Sequence, residues 1–227
     1  AIAPPEVAQQ IRAAHNAAVL DALEFLEAHA IFTREGTGGA RQVETRGLVA
    51  TAFTHRDSRA GDPDLHTHVS VANKVQTRQG RWLSIYGTVL HENVVAASEA
   101  YNTALEAHLR DGLGVRFVDV PRSGGKRPVR EIAGVNQSLC AHWSSRRSDI
   151  EDRTDELVAD FTDKHGRRPS AKESIALAQR ANLDTRAAKH EPRSEAEQRA
   201  AWRAEAADHL RERGVDYLVY RALHRPG

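Results

Sequence analysis

The sequence predicts an α+β fold: a central antiparallel sheet flanked by helices, followed by an α-helical C-terminal extension. Segments rich in β-branched and aromatic residues, separated by turn residues, are concentrated before residue 130. After residue 130, apolar residues recur at three- and four-residue steps, which is the spacing typical of helices. We therefore expect an α+β core over residues 1–130 and a helical extension over residues 131–227.

The composition indicates a globular domain and argues against a membrane protein. Of the 227 residues, 40% are hydrophobic and 28% are charged, and no apolar run approaches the ~20 residues that a helix needs to cross a bilayer. The single cysteine, Cys140, rules out an internal disulfide. Residues 1–5 lack the pattern of a secretory signal, so we expect a cytoplasmic protein with no membrane partner. Because the chain contains no methionine, we interpret it as an internal piece of a longer protein.

Most elements of the first 120 residues follow from periodicity and turn residues. Apolar residues at three- and four-residue steps predict an amphipathic helix over 5–30. Gly36, Gly38 and Gly39 predict a turn between two short strands, and the Asp-, Ser-, Gly- and Pro-containing residues 57–63 predict a loop between two longer strands. The remaining elements expected here are strands over 47–56, 64–75, 82–85 and 115–120 and a helix over 91–112.

The second part of the chain is predicted to be helical after a loop over residues 121–130. Helical patterns cover 136–147 and 148–165. Two later helices are expected to begin at capping boxes, in which a serine and a glutamate three residues later cap each other's backbone. These pairs are Ser170 with Glu173 and Ser194 with Glu197.

Three histidines lie where one hairpin would bring them together. His55 is at the end of the first long strand, and His66 and His68 are at the start of the second. Residues two apart share one face of a strand, and His55 would lie opposite His66 or His68 on that face in either of the two registers considered. Three imidazoles with open positions beside them suit a catalytic divalent metal. The sequence therefore predicts a metal site at His55, His66 and His68.

The expected cofactor is one divalent metal ion. Imidazole ligands alone do not select the metal, so Mg²⁺, Mn²⁺, Zn²⁺ and Ni²⁺ remain candidates. Asp57, Asp62 and Asn73 are near enough in sequence to accept hydrogen bonds from the outer ring N–H groups of the ligands.

Charge is distributed unevenly along the chain, although the net charge is only +1. Residues 122–147 carry six basic groups against Glu131 alone, and a local basic segment can follow a phosphate backbone. Trp143 lies beside two of these basic groups and could stack on a base. The candidate nucleic-acid contacts are Arg122, Lys126, Arg127, Arg130, Trp143, Arg146 and Arg147.

The histidine segment resembles the three-histidine motif of conjugative relaxases of the TrwC/TraI type, the MobF class of the HUH endonucleases. The resemblance is carried by the eleven- and two-residue histidine spacings, the Ser58–Arg59 pair, Pro63 and the His-Thr-His sequence ending at His68. Weaker similarity covers most of the chain and includes residues 80–82, 101–113, 131–135, 168–170 and 185–186.

The resemblance implies binding of single-stranded DNA at an origin of transfer (oriT) of a conjugative plasmid, and cleavage of one strand there. A tyrosine would attack one phosphodiester and form a 5′-phosphotyrosyl bond, while a metal held by His55, His66 and His68 stabilises charge on the phosphate. Residues 131–227 would close over the DNA. The implied protein partners are conjugation accessory proteins, a coupling protein and a type IV secretion channel.

The chain departs from the family pattern at the nucleophile. The family's nucleophilic tyrosines precede the histidine motif, whereas no tyrosine precedes His55 here. The four tyrosines are Tyr86, Tyr101, Tyr217 and Tyr220, and none of them is carried over to that role. We therefore expect a relaxase domain without its N-terminal segment, which binds metal and does not cleave DNA alone.

Three alternatives to a conjugative relaxase remain open. A rolling-circle replication initiator would share the same chemistry. A non-catalytic single-stranded-DNA-binding module would carry a vestigial or structural metal, although a structural zinc prefers four ligands in a closed site. A metal-dependent hydrolase of small molecules would need a general base, which Asp57 or Asp62 could supply.

Overall fold

The computed structural model describes residues 1–121, 127–188, 191–210 and 214–224. Its helices are α1 (Pro5–His29), α2 (Gly87–Glu92), α3 (Val94–Leu113), α4 (Gln137–His142), α5 (Ser145–His165), α6 (Ala171–Asp184), α7 (Glu195–Leu210) and α8 (Val215–His224). Its strands are β1 (Phe32–Glu35), β2 (Arg41–Glu44), β3 (Ala50–Asp57), β4 (Pro63–Val71), β5 (Val75–Gln76), β6 (Trp82–Leu83), β7 (Phe117–Val120) and β8 (Val129–Ile132). The predicted α+β class with a helical C-terminal part is confirmed.

The strands pair with their neighbours in sequence. Within the described ranges they form four two-stranded sheets, β1–β2, β3–β4, β5–β6 and β7–β8, and a bridge between Thr45 and Thr77 links the first pair to the third. The expected loop over 121–130 is wrong at its end, because residues 129–132 form β8 and pair with β7. The first predicted helix after it also ends early, since α4 stops at His142 and α5 begins at Ser145.

Contacts between residues group the chain into two compact units. The helical unit comprises Ala1–Ile2, His55–His66 and Val135–Val219, and the mixed unit comprises Ala3–Thr54, Thr67–Gly134 and Tyr220–Gly227. The predicted division into domains at residue 130 stays a prediction.

The core of the mixed unit forms where α1 packs on α3. Pro5 is the first residue of α1. A backbone N–H at this position makes no hydrogen bond within the helix, so proline fits there without loss of a bond. The buried face of α1 carries the small side chains of Ala8, Ala14 and Ala18, which let α3 approach closely. Ala14 packs there with Leu109 and other apolar residues of α3, β7 and β8, so this helix pair supports a strand pair.

The core of the helical unit lies between α4, α7 and α8. Leu139, Ala206 and Val215 are its buried centre, and Trp143 packs against them. Leu139 is only 2% exposed, which places α4 firmly in this core. None of the described helices has both the length and the apolar character that crossing a membrane requires.

Both predicted capping boxes are confirmed. The Ser170 side chain accepts a hydrogen bond from the Glu173 amide while the Glu173 carboxylate accepts one from the Ser170 amide, and Ser194 pairs with Glu197 in the same way. Hydrogen bonds from the Arg167 guanidinium and then from Ser170 hold the pKa of Glu173 well below its usual range. The contribution of ionised Glu173 is therefore full above the unfolded pKa of about 4.3 and is lost as the pH falls through the folded pKa.

Replacing Ser170 with alanine should lower the free energy of unfolding by about 1 kcal/mol, because the first turn of α6 loses the acceptor for one backbone N–H. Urea denaturation would measure this change. Ser174→Ala, in the exposed first turns of the same helix, is the matched control. Equal effects of the two substitutions would contradict a capping role for Ser170.

Candidate metal centre and nucleic-acid interface

The β3–β4 hairpin presents two of the predicted ligands side by side. His55 lies near the end of β3 and His66 within β4, and their rings stack with centroids 5.3 Å apart and planes inclined by 19°. Thr54 and Thr67, the adjacent residues, join hydroxyls at 3.0 Å. These two contacts fit the register that sets His55 opposite His66. His68 follows on β4, two residues beyond His66 and on the same face of that strand.

The orientation of His66 suits a metal ligand. Its Nδ1 lies 2.9 Å from the Asp64 carbonyl oxygen and 3.4 Å from the Asp64 carboxylate. A proton held on Nδ1 by the carbonyl puts the lone pair of the neutral ring on Nε2, which is how a backbone acceptor usually prepares a histidine for a metal. The 5.3 Å ring separation is within the span of two imidazoles that each bind one ion at about 2.1 Å.

The described part of the chain does not bring a complete set of metal ligands together. Among the residues that the structure describes, no group of three or more His, Cys, Asp or Glu side chains stands ready to hold a metal ion. The donor chemistry and the paired rings of His55 and His66 fit a divalent metal, and the site at His55, His66 and His68 stays a prediction.

The acidic residues expected behind the ligands have other partners in the structure. The Asp57 carboxylate accepts a hydrogen bond from the Gln198 amide at 2.7 Å, and the Asp62 carboxylate accepts one from the Ser145 hydroxyl at 2.6 Å. Asn73 accepts a hydrogen bond from the Ile85 amide at 3.2 Å. These contacts show structural uses for all three residues, and their predicted support of the metal ligands stays a prediction.

A clamp holds the β3–β4 loop within the helical unit, and the sequence did not predict it. The buried Gln198 side chain bonds to Asp57 and also accepts a hydrogen bond from Arg56 Nε at 2.8 Å. The Trp202 indole N–H donates to the Gly61 carbonyl at 2.8 Å. The sequence could indicate only that a glutamine lies on the buried face of α7. It could not identify the partners of that glutamine, because they lie far away in sequence.

Of the predicted basic contacts, Arg122 and Lys126 lie outside the described residues. The others can be placed in the structure. Arg130 is held by Glu106, with Nη2 2.6 Å from Oε1 and Nε 3.0 Å from Oε2, and by Asp119 at 3.2 Å. These hydrogen bonds, first to Glu106 and then to Asp119, raise the pKa of the Arg130 guanidinium. Arg127 lines a cavity near Arg130 in the mixed unit.

Trp143, Arg146 and Arg147 line one cavity of about 490 Å³ in the helical unit. Its other polar walls include Asp62 and Asp64, the residue that orients His66. The indole N–H of Trp143 is buried and makes no hydrogen bond with any described residue. Arg146 donates to Asn182 at 2.8 Å and Arg147 to Glu151 at 2.8 Å.

The four tyrosines differ in their surroundings. Burial raises the pKa of the Tyr101 phenol, whose oxygen lies 2.7 Å from His15 Nδ1. Tyr86 directly precedes α2, and its ring faces the Arg34 guanidinium at 4.7 Å. Tyr217 and Tyr220 are largely exposed on α8. A raised pKa keeps the phenol protonated, which lowers its nucleophilicity.

Comparison with known proteins identifies related sequences. A family model described as TrwC relaxase matches residues 1–209. The multifunctional conjugation protein TraI of Escherichia coli is 32% identical over 216 residues, an alignment that covers 92% of this chain and 11% of TraI. TraI from strain K12 is also 32% identical, over 138 residues, which is 56% of this chain and 8% of that protein. The chain thus spans about a tenth of the length of the TraI proteins it matches.

Solved structures of the conjugative relaxase TrwC have a similar fold. The metal-free complex with oriT DNA matches with a TM-score of 0.70 and 27% identity, over 89% of this chain and 66% of that one. The metal-bound complex matches with a TM-score of 0.69 and 26% identity, over 89% of this chain and 64% of that one. A copper-bound complex gives 0.68 and 28%, over 89% and 63%. Together with the family match over residues 1–209, these likenesses show that the chain belongs to the TrwC relaxase family.

Proposed function

We propose that this chain binds one divalent metal through His55, His66 and His68 and binds single-stranded DNA from an origin of transfer. The observation that carries the proposal is the pair of stacked imidazoles of His55 and His66, one of which is oriented by the Asp64 carbonyl. Relatives support it, because TrwC has been solved in complex with oriT DNA and in metal-bound form. The third ligand, His68, is proposed from its spacing and from the resemblance.

The proposed reaction is site- and strand-specific nicking. A tyrosine oxygen attacks the scissile phosphorus and forms a 5′-phosphotyrosyl bond, and the 3′ oxygen leaves. A divalent ion at the histidines supplies charge stabilisation to the phosphate oxygens. The protein's part is to keep His66 in the tautomer with its proton on Nδ1 and to hold His55 beside it.

The four tyrosines of this chain are not proposed as nucleophiles. Tyr101 has a raised pKa, and Tyr86 packs under Arg34. We propose that the chain on its own binds metal and DNA without cleaving the strand.

The DNA is proposed to contact the cavity of the helical unit. Trp143, Arg146 and Arg147 line this cavity, and the two arginines bring positive charge to its walls. Arg127 stays a proposed phosphate contact. Arg130 is a weaker candidate, because a phosphate would have to compete with Glu106 and Asp119 for its guanidinium. The conjugation accessory, coupling and type IV secretion proteins and the cytoplasmic location stay predictions.

Calorimetric titration of Mn²⁺, Ni²⁺ and Zn²⁺ into the metal-free chain tests the metal site. We expect one metal ion to bind per chain. Its affinity should increase when a single-stranded oligonucleotide is present, because metal and phosphate attract each other. The site should be lost when His55, His66 and His68 are all replaced by alanine. The matched control replaces three histidines outside the hairpin, His29, His91 and His165, and should bind metal normally.

Two results would overturn the proposal. A folded chain that binds no metal would favour a non-catalytic DNA-binding module. Metal binding that survives in the hairpin variant would place the ion elsewhere in the chain.

A further inference from the structure

A buried histidine joins two helices and two strands in the mixed unit. His15 on α1 is only 4% exposed. Its Nδ1 lies 2.7 Å from the Tyr101 hydroxyl on α3, and its Nε2 lies 2.8 Å from the Thr67 hydroxyl on β4. The Thr67 hydroxyl in turn lies 3.0 Å from the Thr54 hydroxyl on β3. The four side chains form a continuous hydrogen-bonded chain that ends on the hairpin.

The donors and acceptors along this hydrogen-bonded chain can be matched with a neutral His15 imidazole. Neutral histidine has one donor and one acceptor nitrogen, and each hydroxyl can both donate and accept. Tyr101 can therefore donate to Nδ1 while Nε2–H donates to Thr67, or both bonds can run the opposite way. In either case each ring nitrogen is satisfied, which a buried polar group requires.

The position of Thr67 in β4 connects its bond with His15 to the predicted metal ligands. Thr67 stands between His66 and His68 on β4, and successive side chains of a strand point to opposite faces. A bond that holds the Thr67 hydroxyl towards α1 therefore holds the two neighbouring imidazoles on the opposite face. A slip of one residue would exchange the faces.

We propose that His15 is a positioning residue for the metal ligands, which acts by fixing Thr67 and with it the register and facing of β4. The inference deepens the proposed metal site and rests on it. Tyr101 fixes the His15 ring from its other nitrogen. A leucine at position 15 could fill the same space, but it could not select which face of β4 points inward.

Two conservative substitutions separate the two bonds of His15. His15→Gln places an amide near the position of Nε2 and can keep the bond to Thr67, whereas His15→Asn places one near Nδ1 and can keep only the bond to Tyr101. We expect His15→Asn to weaken Mn²⁺ binding about tenfold or more, the loss typical of a residue that orients a ligand. His15→Gln should stay within about threefold of the parent chain.

Hydrogen exchange of the β4 amides in the metal-free chain is the second readout. It should accelerate about tenfold in the His15→Asn variant and remain near the parent value in the His15→Gln variant. His108→Asn is the matched control, because His108 on α3 also bonds to α1, at 2.7 Å from Asp21. It removes a bond between the same helices and should change neither readout.

The outcomes are distinct. Equal metal affinity and equal β4 exchange in the two His15 variants would overturn the positioning role, as would an equal loss in His108→Asn. If the parent chain binds no Mn²⁺, Ni²⁺ or Zn²⁺, the proposed metal site fails. The β4 exchange of the metal-free variants then decides alone whether His15 fixes the strand.

Discussion

Replacing Gln198 with alanine should lower the free energy of unfolding by about 3 kcal/mol, because hydrogen bonds to charged groups contribute about 1.5–3 kcal/mol each. The Gln198 side chain is 3% exposed. It bonds to the Asp57 carboxylate at 2.7 Å and to the Arg56 guanidinium at 2.8 Å. The truncated side chain leaves both charged groups without this partner and opens a space in a packed region.

Urea denaturation measures the change in stability, and hydrogen exchange of residues 57–62 locates it. Gln179→Ala is the control, since Gln179 is exposed on α6 and the substitution has the same intrinsic effect on helix propensity. A loss below about 1 kcal/mol for Gln198→Ala, or slow exchange of the loop in that variant, would show that the clamp does not hold the loop.

Gly47→Ala is expected to cost about 3 kcal/mol, since two penalties combine. The φ angle of Gly47 is +113°, a conformation that costs other residues about 1–3 kcal/mol. A Cβ atom there would also lie 2.6 Å from Glu27 Oε1, the oxygen that accepts a hydrogen bond from the Leu48 amide at 2.6 Å. The substitution therefore strains the turn before β3 and disturbs its attachment to α1.

Gly112→Ala is the matched control for Gly47→Ala in the same unit. Gly112 is helical, and a Cβ atom there would meet nothing within 4 Å. Its replacement should stabilise the chain by up to about 1 kcal/mol through helix propensity. Thermal and urea unfolding of the two variants should shift in opposite directions. A shift in the same direction would contradict the role assigned to the turn at Gly47.

Features whose partners are close in sequence could be predicted. Ser170 caps a helix with a glutamate three residues away, and Gly36–Gly39 lie between the paired strands β1 and β2. The long hairpin that carries His55 and His66 followed from two strand patterns around a loop rich in turn residues. The family was also identified from the sequence, because the histidine spacing is specific.

Features that depend on distant partners could not be predicted. Strand β8 has four residues and directly follows Pro128, and it pairs with β7. The bond of Asp57 to Gln198 spans 141 positions in sequence, so the aspartate looked equally suited to support a metal ligand. The buried His15 gave no signal, since its partners Tyr101 and Thr67 lie 86 and 52 positions away.

The clamp on the β3–β4 loop implies an order of events during synthesis. Asp57 at the end of β3 and Gly61 in the loop bond to Gln198 and Trp202, each 141 positions later. At about 5–20 residues per second, the ribosome needs on the order of ten seconds to deliver those partners after the loop emerges. The hairpin with His55 and His66 therefore leaves the ribosome before its loop can be fastened, and the nascent chain acquires a fixed loop only once α7 has followed.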